Sequence, residues 1–170
     1  MIGDSISAGI GNRDEQTWPK ILRQKYKIEV IDVSVAGATV NSALKHQANQ
    51  VKSDNSIVLL EIGGNDLFAP TQPKMFMKDL EQILKTVSGP NRTVIMLELP
   101  LLPWQIQYGR IQRKVARQHN TILIPKCFLT TIFGNEQTTV DLAHLSPTGH
   151  KLLAEKVWDL IGHTFSKQTD

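Results

Sequence analysis

The feature that most restricts the fold of this chain is an alternation. Runs rich in β-branched and aliphatic residues occur at 28–34, 56–62, 93–99 and 122–124, and segments with apolar residues at helical spacing separate them. Ile57-Val58-Leu59-Leu60 carries no polar alternation, as expected of a strand covered on both faces. Helical spacing predicts helices over 39–52, 74–88, 108–119 and 147–163. Thr17-Trp18-Pro19 marks another helix start, with Thr as N-cap and Pro in the first turn. Such an order builds right-handed βαβ units, hence an α/β fold with a mainly parallel sheet and helices on both faces. In that class, sites form beyond the carboxyl ends of the strands. The 170 residues fit one domain spanning 1–170 with one sizeable core.

Composition removes several functional classes. A single cysteine, Cys127, excludes an intrachain disulfide and a Cys-based zinc site, and the thiol is expected to be packed. No helical His-x-x-x-His spacing suggests a metal, so no cofactor is expected. No apolar run approaches the roughly 20 residues of a membrane span, so stable membrane insertion is not expected. The net charge of +3 comes with two basic clusters, Lys20/Arg23/Lys25/Lys27 and Arg110/Arg113/Lys114/Arg117. Neither interleaves aromatics, so both read as solvated helix faces rather than nucleic-acid surfaces, with attraction of an anionic substrate left open. Gly9-Ile10-Gly11 lacks the third glycine of a dinucleotide-binding loop.

Four short segments carry chemistry. Ser5, in Gly3-Asp4-Ser5, is the candidate nucleophile; a serine hydroxyl needs a neighbouring base to take its proton. Gly37, between a strand and a helix, offers a backbone N–H that no side chain shields. Asn65, in Gly63-Gly64-Asn65-Asp66, offers a side-chain NH2 to a developing oxyanion, while Asp66 reads as structural. Asp141 and His144 stand three apart, a spacing that lets the carboxylate reach Nδ1 and leaves Nε2 for Ser5. His150, six residues on, is expected to pack or cap. Each segment also has a plainer reading: an N-cap pair, a turn with positive φ, an Asn-Asp turn and a surface ion pair. Their joint occurrence in this order favours catalysis.

In that order the four segments resemble the sequence blocks of the SGNH (GDSL) hydrolase family, and the likeness runs from residue 3 to about 163. Gly3-Asp4-Ser5-Ile6-Ser7-Ala8-Gly9 with the following Thr17-Trp18-Pro19 is most similar to the bacterial lysophospholipase/thioesterase-like branch. The resemblance implies a flavodoxin-like three-layer α/β/α sandwich around a five-stranded parallel sheet. It also implies Ser5 as nucleophile, His144 as base with Asp141 orienting it, and an oxyanion hole from Ser5 N–H, Gly37 N–H and the Asn65 side chain. Leu145-Ser146 follows the histidine where the family often has Pro-Asn.

The expected function is serine esterase chemistry on a small-molecule acyl ester: a short acyl ester, a lysophospholipid or an acyl thioester. The alternatives are a carbohydrate O-acetyl esterase, or a non-catalytic binding module if the start of the chain disables Ser5. Phe68, Leu101, Trp104 and Tyr108, in two loops beside the cleft, are the expected substrate-binding residues. Only Met1-Ile2 precedes the motif, almost no strand, so an upstream strand segment is expected to be missing from this numbering. Localisation therefore stays open: cytoplasmic if Met1 is the true start, periplasmic or secreted if a segment precedes it. Oligomeric state is not legible.

Overall fold

A computed structural model describes residues 1–10, 16–100, 105–141 and 143–165. Its centre is a pair of parallel strands, β2 (Ser56–Glu61) and β3 (Arg92–Leu97), with β1 (Ile2–Gly3) outside β2 and β4 (Ile122–Ile124) outside β3. All three pairings are parallel. Successive side chains of a strand point to opposite faces, and the two cores follow that period. Ile2, Val58, Leu60, Val94 and Met96 face one core; Ile57, Leu59, Ile95 and Leu97 face the other. The helices α3 (Val40–His46), α5 (Pro73–Val87) and α6 (Ile106–Gln118) cover the first face. The second is covered by α1 (Ser5–Ala8), α2 (Trp18–Tyr26), α7 (Cys127–Phe133) and α8 (Pro147–Phe165). A short α4 (Gly64–Phe68) follows β2. This is the three-layer α/β/α arrangement expected from the alternation.

Among the described residues four strands, not five, make the sheet. The 28–34 run is extended and lies along β1, but it forms no regular ladder. Its bonds there are Met1 ammonium to Ile31 O (2.6 Å), Val33 N–H to Met1 O (3.1 Å) and Val35 N–H to Gly3 O (3.2 Å). The Gly3 N–H, which a ladder would give to this run, goes to the Gln47 side chain instead (3.1 Å). On its other side β1 pairs only with Leu60 and Glu61. Below that contact a cavity of about 1060 Å³ opens between residues 28–31 and 56–59, walled by Leu22, Tyr26, Trp158 and Ile161. It lies at the amino ends of the strands, away from the four motifs.

Other differences are local. The helix expected over 39–52 stops at His46 and passes through a 3-10 turn (Ala48–Gln50), because Gln47 bends inward at the C-cap. Leu67 and Phe68 belong to α4 rather than to a loop, and α7 had no periodic signal long enough to be seen. Cys127 is exposed at the first position of α7, not packed. Two cations of the basic clusters form ion pairs at the surface, Lys25 with Glu155 (2.8 Å) and Arg113 with Glu98 (2.7 Å).

Candidate active site

Ser5 opens α1, directly after the end of β1. Asp4 caps that helix: its Oδ1 accepts from Ile6 N–H at 3.0 Å, as an N-cap carboxylate should. The turn is tight because Gly3 has no side chain; a Cβ there would meet Ser7 Oγ at 2.6 Å. The Asp4 carboxyl is buried, and desolvation raises its pKa to about 6 against the helping bonds from Ile6 and Asn65 and the charge of His144.

The second and third segments meet the first through one amide. Asn65 Nδ2 donates to Asp4 Oδ2 (3.1 Å) and to Ala38 O (3.0 Å). Both of its hydrogens are thereby engaged, one to the residue before Ser5 and one to the residue after Gly37. Gly37 has φ +77° and open space where a Cβ would stand, so the backbone conformation rather than crowding selects glycine. Gly63, with φ +112°, is selected by both, since a Cβ would touch Phe76 at 3.0 Å. Asp66 is buried and accepts from Val40 N–H at 2.8 Å, tying α4 to the start of α3. Desolvation, first among its causes, raises the Asp66 pKa.

The fourth segment is held at the tip of a closed loop. Thr139 and Leu145 form an antiparallel bridge, Val140 N–H donates to His144 O (3.0 Å), and Ser146 N–H donates to Thr138 O (2.9 Å). Leu145 anchors the loop in the second core, and Ser146 Oγ accepts from Gly149 N–H at the start of α8 (3.1 Å). At the tip, Asp141 Oδ1 accepts from Ala143 N–H and His144 N–H, both at 2.7 Å, while Oδ2 stands 2.7 Å from His144 Nδ1. The hydrogen bond to the imidazole, the largest cause, lowers the Asp141 pKa to about 2. The carboxylate thus fixes the ring through Nδ1, and Nε2 is left to act on other groups. His150 does cap, as expected: its Nδ1 accepts from Trp18 N–H at 3.3 Å, at the start of α2.

The proposed substrate contacts divide. Phe68 is 81% exposed on α4, one turn from Asn65. Tyr108 does not face a cleft; its ring packs edge-on against Phe76 in the first core and its hydroxyl donates to Thr71 O at 2.7 Å. Leu101 and Trp104 lie outside the described residues. Three polar residues beneath the Ser5 turn escaped the sequence reading: Ser7, Gln47 and Glu61. Ser7 Oγ donates to Glu61 Oε2 at 2.7 Å, and burial, followed by the charge of Asp4, pushes the Glu61 pKa well up. The carboxylic acid set within the aliphatic stretch 57–62 was the available signal.

The family model for GDSL-like lipases and acylhydrolases matches residues 1–152. This chain belongs to that family. It is 30% identical over 136 residues to thioesterase 1/protease 1/lysophospholipase L1 of Escherichia coli, covering 74% of this chain and 64% of that protein. It therefore spans less than two thirds of that relative's length. It is 26% identical over 170 residues to esterase TesA of Pseudomonas aeruginosa, covering 93% and 84% of the two chains. Among solved structures, the psychrotrophic esterase EstA from Pseudoalteromonas superposes with a TM-score of 0.83 at 23% identity, over 97% of each chain. That last likeness concerns the fold.

Proposed function

We propose that this GDSL-family chain is a serine esterase that cleaves acyl esters through an acyl-enzyme, with Ser5 as nucleophile and His144 as base. The observation that carries the reading is the Asp141 carboxylate held on His144 Nδ1 at 2.7 Å, at the tip of the loop that leads into α8. With Nδ1 held, Nε2 takes the Ser5 proton as Oγ attacks the acyl carbonyl. The oxyanion is met by the N–H groups of Ser5 and Gly37. Asn65 joins them by turning toward the oxyanion one of the hydrogens now given to Asp4 or Ala38. His144 then protonates the leaving group, and water repeats the sequence on the acyl-enzyme. None of these steps calls for a cofactor. The exposed Phe68 beside Asn65 favours an apolar acyl chain over a sugar, in line with the esterase and thioesterase names of its relatives.

Turnover of a short p-nitrophenyl ester tests this, with acyl thioester and lysophospholipid alongside. Ser5→Ala should lose activity on all of them with an unchanged melting temperature, and a fluorophosphonate should label the parent chain at Ser5 alone. Activity retained by Ser5→Ala removes that residue from the mechanism. Failure of the parent chain to react with the fluorophosphonate would favour the binding-module alternative.

A further inference from the structure

Gln47 is buried at the end of α3, and its side chain makes two bonds to one residue. Its Oε1 accepts from Gly3 N–H at 3.1 Å, and its Nε2 donates to Gly3 O at 3.1 Å. Only one orientation of the amide fits, because turning it over sets N–H against N–H and oxygen against oxygen. The carboxamide therefore supplies the acceptor that a neighbouring strand would offer the Gly3 N–H, and it shares Gly3 O with the Val35 N–H (3.2 Å). Without it the Gly3 N–H, whose ladder partner would lie on the 28–35 segment, is a buried donor with no acceptor.

The helix that carries Gln47 touches all three segments around Ser5. It begins three residues after Gly37, is capped by Thr39 and Ser42, and its Val40 N–H is held by Asp66, next to Asn65. Seven residues later it ends on Gly3, two residues before Ser5. A helix of that length spans roughly 10 Å, and Val40 and Ala43 seat it in the first core. One rigid element thus references the Ser5 turn to the Gly37 turn and to α4.

We infer that Gln47 is a positioning residue: its carboxamide clamps the Gly3 peptide groups so that the Ser5 N–H and Oγ stay in register with Gly37 and Asn65. This rests on the reading of Ser5 as nucleophile. The clamp acts on the transition state more than on substrate binding, because the donors converge on an oxyanion absent from the ground state.

Two variants test it beside Ser5→Ala. Gln47→Leu keeps the bulk and removes both bonds; kcat should fall roughly 10- to 100-fold, with KM within about twofold, as expected for small misplacements of a reacting group. Gln47→Glu is the sharper probe. As a carboxylate it accepts from Gly3 N–H but repels Gly3 O, whereas the protonated acid restores the donor and acceptor pattern of the amide. The ratio of its kcat to that of the parent should therefore climb toward one as pH falls from 8 to 5. The titratable groups tied to this turn are Asp4, Glu61, Asp32, His144 and the Met1 ammonium, with His46 next to Gln47 in the chain; the parent shares all of them and serves as the reference at each pH. A merely structural role would lower the melting temperature of Gln47→Leu and leave kcat within twofold. That result overturns the inference, as does a pH-independent ratio for Gln47→Glu should the leucine variant not fold. If Ser5→Ala itself remains active, the nucleophile assignment fails instead, and the two failures are told apart.

Discussion

The burial of Asp4 makes a quantitative demand on stability. Its carboxyl is almost fully enclosed, and desolvation lifts its pKa from the ordinary 3.8 to about 6. Between those values the folded chain holds a proton that the unfolded chain has lost. Protons bound to the folded state exceed those on the unfolded state, so stability falls as pH rises through this window. A rise of roughly two pH units, at about 1.4 kcal/mol for each, corresponds to about 3 kcal/mol. That cost is absent below about pH 3.5 and complete above about pH 7. Asp4→Asn removes the titration, and its Nδ2, set against the Asn65 amide, adds an offset that pH does not change. Urea unfolding of both proteins, followed by tryptophan fluorescence from pH 3.5 to 7.5, isolates the difference. The stability of the parent minus that of Asp4→Asn should decline by about 3 kcal/mol across the range. A difference flat to within about 0.5 kcal/mol, or one that grows with pH, refutes the argument that desolvation dominates at Asp4.

Other predictions concern the elements that hold the site. At Gly149 a Cβ would stand 1.9 Å from Thr138 O, so Gly149→Ala should drive α8 from the loop carrying Asp141 and His144. A loss of about 3 kcal/mol or more is expected on thermal melting, and a shift of under 2 °C would contradict the packing. Asp141→Asn should lower kcat/KM at least 100-fold, because an amide in that position no longer favours the required tautomer. Since the Asp141 pKa is lowered to about 2, its hold on His144 is complete above about pH 4 and is lost as pH falls through 2. Leu84→Ala, in the first core, should cost about 2–5 kcal/mol by denaturant unfolding with kcat unchanged.

Much of this protein follows from the order of its residues. The aliphatic runs at 56–62 and 93–99 became β2 and β3, and the periodic segments at 74–88 and 108–119 became α5 and α6, because two-sided burial and helical spacing are local patterns. Asp141 and His144 were also legible, since three residues are enough for a carboxylate to turn back on an imidazole. What folding alone decided is long-range. Segment 28–34 has strand composition, yet its pairing depends on a neighbour with only two residues to offer. Tyr108 read as a cleft residue from its place beside a loop, but Phe76 and Thr71 draw it into the core. Gln47 has no signature at all, because its meaning lies in Gly3, 44 residues away. Local spacing sets which groups are available; the folded chain decides which distant backbone atoms they must satisfy, since a buried N–H or C=O cannot go without a partner.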